Sequence, residues 1–113
     1  MRLDGFGGIS LELMEEIGVL EPYGEGNKEP IFLVSGVEVV EARKMGKEEN
    51  HLGVMLRDRK GMVMKGVGFY APKEWMAVRV GEMVDVKLKI IENEWNGLRS
   101  VEGRIVDLGM NIM

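Results

Sequence analysis

The chain has no cysteine, no glutamine and no threonine, and only one histidine and three prolines among its 113 residues. Without cysteine there is no disulfide, no thiol nucleophile and no thiolate metal site. A single histidine leaves Ser10, Ser35 and Ser100 one base to share, His51. Asp-His-His, His-Glu-x-x-His and Asp-x-Asp are all missing, so neither nucleophilic catalysis nor a two-metal phosphodiester clamp has its residues here. The chain by itself is therefore expected to carry no catalytic residues, no metal site and no cofactor. It lacks an 18-residue apolar run and a charged-then-apolar amino terminus, which predicts a cytoplasmic protein with no membrane partner.

What is present is enough for one domain with a single small core. The net charge is −4, but it is unevenly spread: residues 1–42 carry −7, residues 43–65 carry +4 and residues 66–113 carry −1. The middle is a basic island of Arg43, Lys44, Lys47, Arg57, Arg59, Lys60 and Lys65. If its strands are neighbours, the island lines one face suited to following a phosphate backbone; otherwise it is a solvated set of hairpin turns.

Periodicity supplies the elements. Residues 1–8 read as a flexible tail, and residues 10–18 as a short helix with Ser10 as cap, Leu11, Met14 and Ile17 on one face and Gly18 at its end. Residues 20–32 hold Pro22, Gly24, Gly26 and Pro30, the punctuation of a specified irregular loop. Ile31–Arg43 is a long strand with apolar residues on both parities and a bulge expected at Gly36. His51–Arg57 alternates, with Leu52, Val54 and Leu56 inward and His51, Met55 and Arg57 outward, where they can meet a ligand. Met62–Phe69 returns from the turn at residues 58–61, and its Gly66 and Gly68 fit a strongly coiled barrel. Pro72 starts a short helix, Lys73–Val78, whose Trp75, Met76 and Arg79 are expected to plug one barrel end. Val84–Ile90 alternates cleanly, and Asn96-Gly97 predicts a hairpin into Leu98–Leu108. Helix, three strands, helix, two strands is the order of an all-β, five-stranded Greek-key OB-fold barrel with two short helices. The predicted domain covers residues 9–109, followed by a tail at 110–113.

Pro22, Tyr23, Gly24, Gly26, Asn27 and Pro30 resemble the Pro-Phe-Gly-x-Gly-Asn-Pro-x-Pro signature that opens the C-terminal OB domain of RecJ-type exonucleases. These are single-strand-specific 5′→3′ nucleases of the DHH phosphoesterase superfamily. His51-Leu52, Gly68-Phe69, the segment 92–100 and Asp107 follow in the same order at similar spacing, so the resemblance spans roughly residues 9–109. Tyr23 replaces phenylalanine, Lys28 replaces the first proline after the asparagine, and Val101-Glu102-Gly103 replaces a Leu-Gln-Leu stretch. The resemblance implies a module of DNA repair and recombination that guides single-stranded DNA to a DHH nuclease core, in the same chain or another. In that family divalent metal ions belong to the catalytic domains.

Single-strand binding requires aromatic faces for bases and cations for phosphates. The expected contacts are the basic island with His51, Tyr70 near the end of the third strand, and Asn93, Trp95, Asn96 and Arg99 around the hairpin. Phe69 is a candidate stacking face beside Tyr70 and Trp95, and of its two readings, core or platform, the core is preferred. A protein–protein docking domain is the alternative, built on the acidic first third and Trp95.

Overall fold

The computed structural model describes residues 2–9, 31–110 and 112. The expected helix at 10–18 and the glycine- and proline-rich loop at 20–30, including Tyr23, lie outside the described residues. Among the described residues six strands and one helix follow in order: β1 (Arg2–Leu3), β2 (Phe32–Met45), β3 (His51–Arg57), β4 (Val63–Gly68), α1 (Lys73–Met76), β5 (Met83–Trp95) and β6 (Leu98–Gly109).

β2 is hydrogen-bonded to both β3 and β5, and β4 meets β6, so the sheet closes on itself in the order β2-β3-β4-β6-β5. Closure removes exposed strand edges and leaves one apolar interior. Phe32, Val34, Val37 and Val39 of β2 fill it with Leu52, Val54 and Leu56, with Val84, Val86, Leu88 and Ile90, and with Ile105 and Leu108. The alternation expected for β3 and β5 is therefore observed.

β2 serves two neighbours because it bends. At Gly36 the backbone turns to φ +64°, and the register with β5 slips between Val34 and Val37. The slip explains why buried residues change parity from Phe32 and Val34 to Val37 and Val39. Asp85 Oδ1 accepts the Gly36 N–H at 3.1 Å and satisfies the donor that the bulge frees.

The barrel closes through a short parallel contact in which Gly66 pairs with Gly103 and Val67 with Arg104. A Cβ on Gly103 would sit 3.0 Å from Leu88 and 3.4 Å from the Lys65 carbonyl, so this glycine is where two backbones converge. Gly68 is covered by the Trp75 ring, whose Nε1 donates to Asp107 at 3.3 Å. Trp75 and Met76 pack against the core as expected of the plug, whereas Arg79 is exposed and takes no part in it.

The amino-terminal segment differs from the expected tail. β1 pairs in parallel with Leu33 and Val34, and Phe6, only 2% exposed, joins the core. Asp58 fastens it. This buried carboxylate accepts the N–H groups of Phe6 (2.8 Å), Lys60 (2.9 Å) and Met62 (2.9 Å), tying residues 2–9 to the β3–β4 turn. β5 extends beyond its expected end at Ile90, to Trp95, and pairs there with β6 from its expected start at Leu98, so the hairpin stands out past the barrel.

Candidate nucleic-acid interface

The pleat sorts the basic island. On β3 the inward set Leu52, Val54 and Leu56 leaves His51, Gly53, Met55 and Arg57 on the outer face. Register then places Met45 beside His51, Arg43 beside Gly53 and Glu41 beside Met55 on one flank. On the other flank lie Lys65 beside Met55 and Val67 beside Gly53. Arg104 follows across the closure beside Val67, and Lys89 beside Arg104. Arg43, Lys65, Arg104 and Lys89 thus share one surface with His51 and the two methionines.

The remaining basic residues, the ion-paired Arg57 apart, do not join it. Lys44 pairs with Leu52 and shares its parity, away from the outer face. Lys47 lies in the exposed β2–β3 turn. Arg57 is on the outer face but is ion-paired with Glu38 at 2.9 Å. Arg59 and Lys60 are in the β3–β4 turn and line a hollow with Arg2, Asp4 and Ser35, at the end of the strands opposite His51. The island that is continuous in sequence is therefore divided by the turn and the pleat, and the expectation of one basic face holds for Arg43, Lys65 and the ion-paired Arg57.

An aromatic cluster borders the face at the end of β4. Phe69 is 48% exposed, which corrects its assignment to the core. Its ring meets the His51 ring edge-on at 5.1 Å, and the Arg104 guanidinium lies 4.6 Å from its centroid. Tyr70 is 77% exposed and meets His51 edge-on at 4.8 Å. Its backbone is left-handed, φ +49°, a conformation that costs a non-glycine residue about 1–2 kcal/mol. Two bonds hold it there: Tyr70 N–H donates to His51 Nδ1 at 3.0 Å, and Ala71 N–H donates to the Asn50 carbonyl at 2.9 Å. With Nδ1 accepting, the imidazole carries its proton on Nε2. The strain turns an aromatic side chain out to solvent, the placement that base stacking requires.

The hairpin forms as Asn96-Gly97 predicts, both residues at positive φ. Trp95 and Leu98 face each other across its tip, 76% and 75% exposed. Asn93 donates to Glu102 and Arg99 donates to Glu92, so neither side chain is uncommitted. The Arg99 hydrogen bond holds the Glu92 carboxyl below its ordinary range. A hollow of about 460 Å³ beside the hairpin is lined by Ile91, Glu92, Glu94 and Arg104.

Sequence reasoning missed Arg104 and misplaced Phe69, although the signal for the latter was available. Lys65, Val67 and Phe69 share a parity, so placing Lys65 outside places Phe69 outside too. Arg104 had no such cue, because its proximity to Phe69 arises from closure. Among the described residues no group of three or more His, Cys, Asp or Glu side chains forms a metal site, and no helix is long and apolar enough to cross a membrane.

A closed five-strand barrel with a bent first long strand, a helix between β4 and β5 and an exposed outer face on β2-β3-β4 defines an OB-fold domain. Residues 5–107 match the RecJ OB domain, and the chain belongs to that family. It is 37% identical over 101 residues to the single-stranded-DNA-specific exonuclease RecJ of Thermus thermophilus, an alignment covering 89% of this chain and 14% of that protein. The crystal structure of RecJ with Mg2+ from the same organism superposes with a TM-score of 0.55 at 32% identity, over 82% of this chain and 13% of the other. The mitochondrial single-stranded DNA binding protein Rim1 of S. cerevisiae shares the fold, with a TM-score of 0.57 at 16% identity over 73% of this chain and 95% of Rim1. The chain thus spans about one seventh of the length of the curated relative it matches.

Proposed function

We propose that this domain binds single-stranded DNA across the outer face of β2, β3 and β4 and guides it to a separate DHH nuclease core, in the same chain or another. The observation that carries the reading is one surface where Arg43, Lys65 and Arg104 flank the exposed rings of Phe69 and Tyr70. Cations spaced along a face follow a phosphate backbone without reading sequence, and each ring takes a base at roughly 1–3 kcal/mol. Family membership supports the same reading. Cleavage, and the divalent ions it uses, would belong to the catalytic core, and the domain alone would bind without cutting.

Fluorescence anisotropy of a labelled strand of about 20 nucleotides, longer than one OB site, tests this, with duplex of the same sequence as control. Binding selective for the single strand and falling steeply with salt is expected. Absence of binding at low salt overturns the proposal.

The exposed Trp95–Leu98 pair favours a second role for the hairpin, docking onto a protein partner such as the nuclease core. Replacing both residues with serine then weakens association with the partner and leaves DNA affinity of the domain unchanged. Reversal of charge at Arg43 and Lys65 has the opposite pattern.

A further inference from the structure

Gly53 sits at the centre of the outer face, in the middle of a strand paired on both sides, where a glycine weakens a sheet. The other strand glycines near the closure have structural reasons. A Cβ at Gly68 would strike the Trp75 ring at 2.9 Å, and one at Gly103 would strike Leu88 at 3.0 Å. Gly53 is buried and its backbone is not left-handed; a Cβ there would come within 3.1 Å of the thioether end of Met45 and 3.8 Å of the Arg43 carbonyl. The thioether is the flexible tip of a side chain and moves at little cost. The fold does not need glycine here.

Beside it a cavity of about 190 Å³ opens on the outer face, with Gly53 in its wall, Met45 and Met55 on its sides, and Glu41, Arg43 and Lys65 at its rim. We infer that this cavity is a pocket for one nucleobase of the bound strand, floored by the bare backbone of Gly53 and widened when the Met45 thioether that lies over it swings aside. The inference rests on the reading of this face as the single-strand interface. Apolar walls of methionine adapt to bases of different shape. Arg43 and Lys65 stand on opposite rims, placed to hold the phosphates on either side of an inserted base. Glu41 repels a phosphate from the pocket itself and accepts a hydrogen bond from a base N–H.

The test compares the chain with Gly53→Val, whose side chain fills the pocket and suits a strand. Each is titrated with the labelled strand and with the same strand carrying 2-aminopurine at successive positions. For the native chain the emission changes on binding at each labelled position, because binding without sequence preference brings every base into the pocket in some register. The variant is expected to unfold at the same temperature or higher, to bind at least about 5-fold more weakly and to lose the 2-aminopurine response. Its salt slope should be unchanged, because the cations remain. Equal affinity and an equal response in the variant overturn the pocket while leaving the proposed function standing. No binding by the native chain overturns both. Should the valine variant fail to fold, Gly53→Ala adds one methyl against Met45, and undiminished affinity there also overturns the pocket.

Discussion

Asp58 shows how one buried side chain fastens the amino-terminal segment to the barrel. Burial alone would raise its pKa, but hydrogen bonds from the N–H groups of Phe6, Met62 and Lys60, with the Lys60 charge, outweigh it and leave the carboxyl below its ordinary value of 3.8. A carboxylate with a lowered folded pKa stabilises fully above its unfolded value and loses that contribution as pH falls through the folded one. Denaturant titrations from about pH 7 down to pH 2 should therefore show an acid-side loss of stability, below 3.8, that is smaller in Asp58→Asn. At neutral pH Asp58→Ala should cost about 1–3 kcal/mol, because it leaves buried N–H donors unpaired. Gly5 depends on the same group, since a Cβ there would lie 2.4 Å from Asp58 Oδ2. Position also separates the cations. Arg43→Glu and Lys65→Glu should each weaken single-strand binding and lower the salt slope by about 1, whereas the same change at Arg59 or Lys60 should do far less, measured by anisotropy across a salt series.

Among the elements, β2 and the β4–β6 contact do the most to shape the interface. The bulge at Gly36 lets β2 join β5 with one half and β3 with the other, and a second register shift between Val39 and Glu41 flips the facing again, so that Phe32 and Val34 point into the barrel while Arg43 and Met45 lie on the outer face. The parallel contact at Gly66 and Gly103 brings Arg104 against Phe69. Gly103→Ala should cost about 1–3 kcal/mol by forcing Leu88 and the Lys65 carbonyl apart, read as a fall in the melting temperature. Because the strain falls at the closure, the Arg104–Phe69 contact should loosen with it, and single-strand affinity should drop more than for an equally destabilising change inside the core. The β5–β6 hairpin, by contrast, is a local structure: alternating strands and Asn96-Gly97 specify it without help from the barrel.

At the scale of the whole molecule, a chain of net charge −4 gathers Arg43, Lys65 and Arg104 on one outer surface. In the proposed function the field of that local separation of charge is what would steer a strand to it. This separation of charge follows from folding, since Arg59 and Lys60 lie at the opposite end of the strands although they are sequence neighbours of Arg57. The single-strand-selective, salt-sensitive binding proposed above is a property of that surface as a unit.

Strand order, the bulge at Gly36, the inward faces of β3 and β5 and the hairpin turn were legible in the sequence, because each depends on period-two alternation or on turn chemistry within a few residues. The RecJ OB resemblance was legible for a similar reason, being carried by short motifs in fixed order. Other features were decided only by tertiary structure. Residues 2–9 lack strand periodicity, and their order comes from Asp58, a residue more than fifty positions away. The division of the basic island depends on which way each side chain leaves the pleat and on the Glu38 partner of Arg57. The neighbours of Arg104 exist only because closure brings β4 beside β6, a contact between strands distant in sequence that leaves no local signature, and the cavity beside Gly53 depends on how side chains of β2, β3 and β4 leave the pleat.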